Sequence, residues 1–367
     1  MIFEIDKSCI DKLKEGDADT CSALNNIAYF RRRGENLLIS NRENLVFLKE
    51  CNILEEKARH VYSSIFRKEL PHFRKFKNEV SRYYTIVSDE SVECENSYKL
   101  TIKDLIEKKF HLKTKFIAEN LTDCEFYRNL GLYYSWKKSL SHDIKSDNIP
   151  GGGHTSAQLF NSKITENESL LFGIFDGDQK YLNASEGTTI QEVNKMISHK
   201  ERMYFDYLSL SNFQTLEAEN LIPHFIIESI ADTREVEQKN TISFLKNLVE
   251  KEDEAYFFFD MKKGIFKSER KGKVITYSQD YINYWQPRLD CFCKVEMPEK
   301  EIKEIKQVSV ERDDLLNASV KKLKSQEVSQ ELQSVFDKID KIHPLNLKWE
   351  EIGKEIYTWF CIGKIIN

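Results

Sequence analysis

Through the first hundred positions, apolar residues recur mostly at helical spacing; beyond them come short apolar runs that end in acids. Asn44-Leu-Val-Phe-Leu-Lys-Glu-Cys-Asn-Ile-Leu54 places its apolar groups three and four apart, and Ala58, Val61, Tyr62 and Ile65 continue the pattern. Residues 1–112 therefore read as a mainly helical N-terminal region. Between 113 and 230 the rhythm changes. A short apolar strand, Phe116-Ile-Ala118, runs into Glu119, and a helix follows from about Thr122, where Thr122-Asp-Cys-Glu125 has the form of a capping box. Gly151, Gly152 and Gly153 then precede His154 and another helix. A second apolar strand, Leu170–Phe175, runs directly into Asp176-Gly177-Asp178. A helix near 189–200, a third strand at Met203–Leu208 and the acidic stretch Leu216-Glu-Ala-Glu-Asn-Leu-Ile222, leading into a last helix, complete the segment. Strands alternating with helices predict a parallel α/β sheet, whose ligands gather at the carboxyl ends of the strands. Both acidic motifs, at Glu119 and at Asp176, fall at such ends.

Residues 231–367 read as an α+β C-terminal region. Ala255-Tyr-Phe-Phe-Phe-Asp260 predicts a buried strand, followed by Lys262, Lys263, Lys267, Arg270, Lys271 and Lys273 with one acid, Glu269, among them. Residues 298–330 are charged and poor in aromatics, as in a helix or linker. In the tail, Trp349, Ile352, Ile356, Trp359 and Phe360 fall on one side of an amphipathic helix that packs onto the body.

Composition narrows the function classes. The 367 residues carry 55 Lys and Arg against 60 Asp and Glu, a net charge of −5, which excludes a histone-like polycation. Any contact with nucleic acid must then come from local patches. Two such basic clusters are Arg31-Arg32-Arg33 and Arg67-Lys68 with His72, Arg74, Lys75 and Lys77; they read as solvated helix faces or as a surface that tracks phosphates. The N-terminal stretch lacks the apolar core of a signal peptide, and no uncharged apolar run is long enough to span a bilayer. The expectation is a cytoplasmic protein without a membrane partner. Of the 8 cysteines only Cys291 and Cys293 lie close together, without the second pair or histidines of a zinc site, so they read as ordinary strand cysteines.

A carboxylate leaving one strand beside a second strand that ends in Asp-x-Asp suits divalent metal chemistry. Mg²⁺ takes oxygen ligands and keeps several waters, so two or three carboxylates plus substrate phosphate make a usual site. Such an ion polarises a phosphoryl oxygen and generates the attacking hydroxide. Glu119 is placed either to ligate metal or to move a proton at the leaving oxygen.

The order strand–Glu–helix, glycine turn, strand–Asp-x-Asp resembles the Toprim domain of topoisomerases, primases and overcoming-lysogenization-defect nucleases. Phe116-Ile-Ala-Glu-Asn-Leu-Thr-Asp123 is similar to its first motif, with Glu119 and Asp123 in the two acidic positions. Asn120 stands where the family usually has glycine. Gly151-Gly-Gly153 matches the glycine turn, Phe172-Gly-Ile-Phe-Asp-Gly-Asp178 the Asp-x-Asp motif, and Leu216-Glu-Ala-Glu-Asn-Leu221 the acidic motif of the nuclease branches.

The resemblance covers about a third of the chain. It implies a central Toprim-like parallel sheet flanked by helices, and a Mg²⁺- or Mn²⁺-dependent nuclease cutting DNA or RNA. Glu119, Asp176 and Asp178 would be catalytic. These three together with Asp123, Glu217 and Glu219 would hold metal, and Gly152, Gly153, His154, Lys262 and Lys263 would meet substrate phosphate. No P-loop motif G-x-x-x-x-G-K-[ST] occurs. By analogy with stand-alone Toprim nucleases of bacterial anti-phage defence, an ATPase or sensor protein partner would regulate the enzyme. The alternative is a non-catalytic sensor of nucleic acid or nucleotide built on a degenerate Toprim core.

Overall fold

The computed structural model describes residues 1–94, 97–232, 234–266, 269–270, 273–274, 276–296, 304–310 and 312–366; the side chains of Phe73, His154, Val328, 269–270, 273–274 and 295–296 lie outside it. Period-two alternation in the middle segment builds two cores from one sheet. Phe116, Ala118, Phe172 and Ile174 face one side, and Ile117, Leu171, Phe175 and Phe205 face the other. Both faces are buried, as a parallel sheet requires.

In chain order the first nine strands are β1 (Ile2–Ile5), β2 (Leu37–Ser40), β3 (Tyr84–Val87), β4 (Tyr98–Thr101), β5 (Lys115–Ala118), β6 (Asp143–Ile144), β7 (Asp147–Pro150), β8 (Leu171–Phe175) and β9 (Phe205–Ser209), and the two-residue strands Glu269–Arg270, Lys273–Val274 and Cys361–Ile362 follow. Two four-stranded sheets result, ordered β2-β1-β3-β4 and β7-β5-β8-β9, and every pairing within them is parallel. The architecture is α/β, with parallel sheets flanked by helices. Among the described residues no helix is long and apolar enough to cross a membrane.

In the second sheet the chain leaves β5, passes through the helix Leu121–Lys137 and enters β7 on one side. It then returns through the helix Ser156–Glu166 to β8, on the other side of β5. That reversal is a topological switch point, the place where an open α/β sheet leaves a crevice beyond its strand ends. Glu119 follows β5 and Asp176 follows β8, so the crevice lies between them.

The face carrying Leu121–Lys137 is closed by the tail helix Leu345–Phe360. Phe116 packs on Phe360 with ring centroids 4.7 Å apart, and Phe172 stacks on Trp359 at 5.3 Å. The two helices cross closely because glycines stand at the crossing. A Cβ on Gly353 would lie 2.3 Å from the Leu130 carbonyl oxygen, and one on Gly131 would lie 2.5 Å from Ile356. The tail thus packs onto the body as its pattern predicts.

Several elements differ from the sequence reading. The N-terminal region holds the first parallel sheet among its helices. The helical pattern from Asn44 to Ile65 is two helices, Arg42–Glu50 and Glu56–Lys68, broken where the Glu55 N–H turns to the Asn25 side chain at 3.0 Å. The aromatic run at 255–259 is not a strand. Asp253 accepts the Ala255 N–H at 3.0 Å and starts a 3₁₀ turn, Glu254–Phe258, which spreads consecutive aromatics around a fully buried axis. Cys291 and Cys293 sit in the helix Gln279–Glu296. Arg31 lies on no phosphate-tracking surface: its guanidinium is buried, 2.9 Å from Glu69 and 2.8 Å from the Lys364 carbonyl. Lys267 and Lys271 lie outside the described residues.

Arg82 ties the two sheets together. Its buried guanidinium donates to the Arg202 carbonyl at 2.9 Å, to Asp206 at 3.0 Å and to the Tyr98 hydroxyl at 2.9 Å, between the rings of Tyr98 and Trp359. Arg82→Ala would strand these acceptors and is expected to cost about 3 kcal/mol, read as a lower midpoint in urea denaturation. An unchanged midpoint would mean that the sheets are held together without it.

Candidate metal centre

Each acid reaches the crevice by a local device that the sequence dictates. After β5 the backbone turns at Asn120, whose side chain caps the next helix by accepting the Asp123 N–H at 3.1 Å, while Asp123 accepts the Asn120 N–H at 2.9 Å. The capping box is therefore Asn120–Asp123, two residues before the one predicted at Thr122, and it fixes Asp123 against the crevice floor. Glu119, just outside the cap, is exposed.

The glycine turn wraps the same strand end. Gly151 N–H donates to the Ala118 carbonyl at 2.7 Å and Gly152 N–H to the Glu119 carbonyl at 3.0 Å. Gly152 and Gly153 adopt φ of 75° and 65°, the left-handed region open to glycine. A Cβ at Gly153 would stand 3.7 Å from Glu119 Oε1, so the glycines form the wall beside that carboxylate. The His154 side chain lies outside the described residues.

After β8, Gly177 and Asp178 both donate backbone N–H groups to the Leu216 carbonyl, at 3.1 and 2.9 Å. Only glycine fits at 177, since a Cβ would lie 2.5 Å from the Thr215 carbonyl and 2.7 Å from the Ser211 nitrogen. This clamp brings Glu217 and Glu219 to Asp176 from forty residues away in sequence. Lys262 closes the group with its ammonium 3.0 Å from Glu217 and 3.0 Å from Glu219.

Glu119, Asp123, Asp176 and Asp178 line one cleft of about 300 Å³ together with Gly152, Gly153 and Tyr127. Its electrostatics are those of crowded carboxylates. Asp176 is held well above the ordinary carboxylate range, first by burial and then by Glu217, Glu219, Asp123 and Glu119. Burial likewise pushes Asp123 up to about 7, with Glu219 and Glu119 adding to it against the Asn120 hydrogen bond. Glu217 is pushed up to about 8 by burial and by Glu219, opposed by Lys262. For Lys262 burial works to lower the pKa, and the two glutamates overcome it and raise the pKa. Tyr127, on the same helix face as Asp123 one turn on, has its hydroxyl driven up by burial and then by Asp176. Its position in the cleft was legible only from that four-residue spacing.

Lys262 and Lys263, expected at substrate phosphate, are engaged with acids: Lys262 with Glu217 and Glu219, Lys263 with Asp260 at 3.1 Å.

The donor set suits a hard divalent cation. All the donors are carboxylate oxygens, most lack a cationic partner, and Glu217 Oε1 is buried without a hydrogen-bond partner. Among the described residues no three His, Cys, Asp or Glu side chains are gathered tightly enough to hold an ion. Glu119, Asp123, Asp176 and Asp178 line the cleft, Glu217 and Glu219 lie outside its lining, and the acids do not close on a single point, the arrangement expected of like charges that repel. No family model, no curated protein and no solved structure matches this chain.

Proposed function

We propose that the chain is a metal-dependent phosphodiester hydrolase of the Toprim kind, acting on nucleic acid. One observation carries the reading: Asp176, at the switch point of a parallel sheet, is faced by four further carboxylates drawn from two other segments. A structural role gives no reason to crowd five carboxyl groups around a strand end. Glu119 and Asp176 would hold Mg²⁺ or Mn²⁺, with Asp123 and Asp178 beside them and Glu217 and Glu219 at a second position. A bound divalent ion would supply charge for the phosphoryl oxygens and lower the pKa of a water. The glycine wall lets a strand's backbone approach Glu119 closely, because Gly152 and Gly153 present no side chains there. Asp123, with its proton affinity raised, is placed to take and return a proton near neutral pH.

Plasmid, single-stranded DNA and tRNA incubated with Mg²⁺ or Mn²⁺ test this. Cleavage is expected with the intact protein, and a loss of about 100-fold or more with Glu119→Gln. Equal cleavage by the two proteins would remove Glu119 from the site.

One observation favours the second reading, a binding platform without catalysis: Lys262 already occupies Glu217 and Glu219 as their ion-pair partner. Such a platform would bind nucleic acid equally well in EDTA and in Mg²⁺ and yield no product at any ratio.

A further inference from the structure

Beside the acidic cleft lies a second cavity of opposite character. It has a volume of about 670 Å³, within the range of small-ligand pockets, and is lined by Tyr181, Phe258, Tyr277, Tyr281 and the lysines Lys180 and Lys263. Tyr277 and Tyr281 lie nearly parallel, with centroids 4.7 Å apart at 15°. Phe266 meets both rings edge-on, at 5.6 and 5.7 Å, and Tyr181 meets Tyr281 edge-on at 6.4 Å. The pocket is thus tiled with buttressed aromatic rings. Of the lysines that line it, Lys262 is held by Glu217 and Glu219 and Lys263 by Asp260, and Lys180 carries no ion pair among the described residues, so an anion is favoured at Lys180.

Two links join this cavity to the crevice. Lys180 and Tyr181 follow Asp178 almost directly, and Lys262 lines the cavity while its ammonium holds Glu217 and Glu219, the acids that face Asp176.

We propose that this cavity receives an unstacked nucleobase of a single strand whose adjoining phosphate lies beside Lys180. The aromatic tiles suit a planar ligand and Lys180 suits an anionic group; a base with its phosphate satisfies both. The choice of a strand over a free nucleotide rests on the hydrolase reading, whereas the pocket chemistry does not. A base seated here would fix the register of the strand relative to Glu119 and Asp176. It would also explain how an acidic molecule holds a polyanion, by gripping the base rather than the backbone charge.

The test uses the full chain in EDTA, where no hydrolysis intervenes, and fluorescence anisotropy of a labelled oligothymidylate and of an abasic strand of equal length. The abasic strand is expected to bind roughly 10-fold more weakly. Tyr181→Ala and Tyr277→Ala should each weaken oligothymidylate binding about 10-fold and leave abasic-strand binding unchanged, with Tyr277→Phe restoring the native value. Equal binding of both strands by the native protein would overturn the proposal, and that measurement stands even if the alanine variants do not fold. Displacement of the strand by thymidine monophosphate at the strand's own affinity would assign the cavity to a free nucleotide and overturn the strand. If cleavage fails under every condition while the base-dependent binding holds, the hydrolase reading falls and the cavity assignment survives.

Discussion

Asp176→Asn is expected to lower cleavage by roughly 10³-fold and, in the same protein, to raise the melting temperature at pH 8 in EDTA. The two effects have one cause. Asp176 is faced by Glu217, Glu219, Asp123 and Glu119, and its burial disfavours the ionised form that a metal requires. An amide of the same shape keeps the packing after β8 and the Gly177–Leu216 clamp while removing the charge. The folded state then no longer works against like-charge repulsion, and the crevice no longer offers its central anionic donor. A carboxylate retained for stability alone behaves in the opposite way and loses stability on amidation. Activity assays and thermal melts on one preparation decide between them, and a fall in both quantities would return Asp176 to a structural role.

The second large effect is a dependence of stability on pH that inverts the usual behaviour of carboxylates. Glu217 moves from an ordinary 4.5 to about 8 and Asp123 from 3.8 to about 7, so the folded chain binds these protons more tightly than the unfolded chain does. Their contribution is fully present below the unfolded values and is lost as the pH rises through the folded ones. In EDTA, stability should therefore fall between pH 5 and 8.5, by on the order of 3 kcal/mol after allowance for the coupling between the groups. Glu217→Gln should flatten that fall. Mg²⁺ should restore the melting temperature more at pH 8.5 than at pH 6, because cation and proton compete for the same oxygens. Stability that rises across this window in EDTA, or a Mg²⁺ effect independent of pH, would mean that these acids do not form one charged cluster.

The middle of the chain was readable because its strands are apolar runs ending abruptly in charge. Leu171–Phe175 running into Asp176 leaves little doubt about where the strand stops, and the glycine triplet marks the turn. The first sheet was hidden because β1, β2, β3 and β4 have four residues each. A run that short, buried between helices, carries no period that separates it from a helical turn. Phe257 and its neighbours misled for the opposite reason, since a buried aromatic run suits a strand or a tight helix equally until Asp253 is seen to cap it. The crevice was legible as a set of acids, but its wiring was not. That Leu216 holds Gly177, that Lys262 spans two glutamates and that an aromatic cavity adjoins them are long-range contacts, with no trace in local spacing.

The seating of Leu345–Phe360 against Leu121–Lys137 also sets a schedule for synthesis. The sheet that carries Glu119 and Asp176 has been translated by residue 209, yet the apolar underside of its first crossover stays bare until residue 360 has left the ribosome. At ordinary elongation rates of about 5–20 residues per second, that leaves a nascent chain exposed for roughly ten seconds or more. During this interval the acids lack a finished scaffold, so the crevice is completed only after the whole chain has emerged.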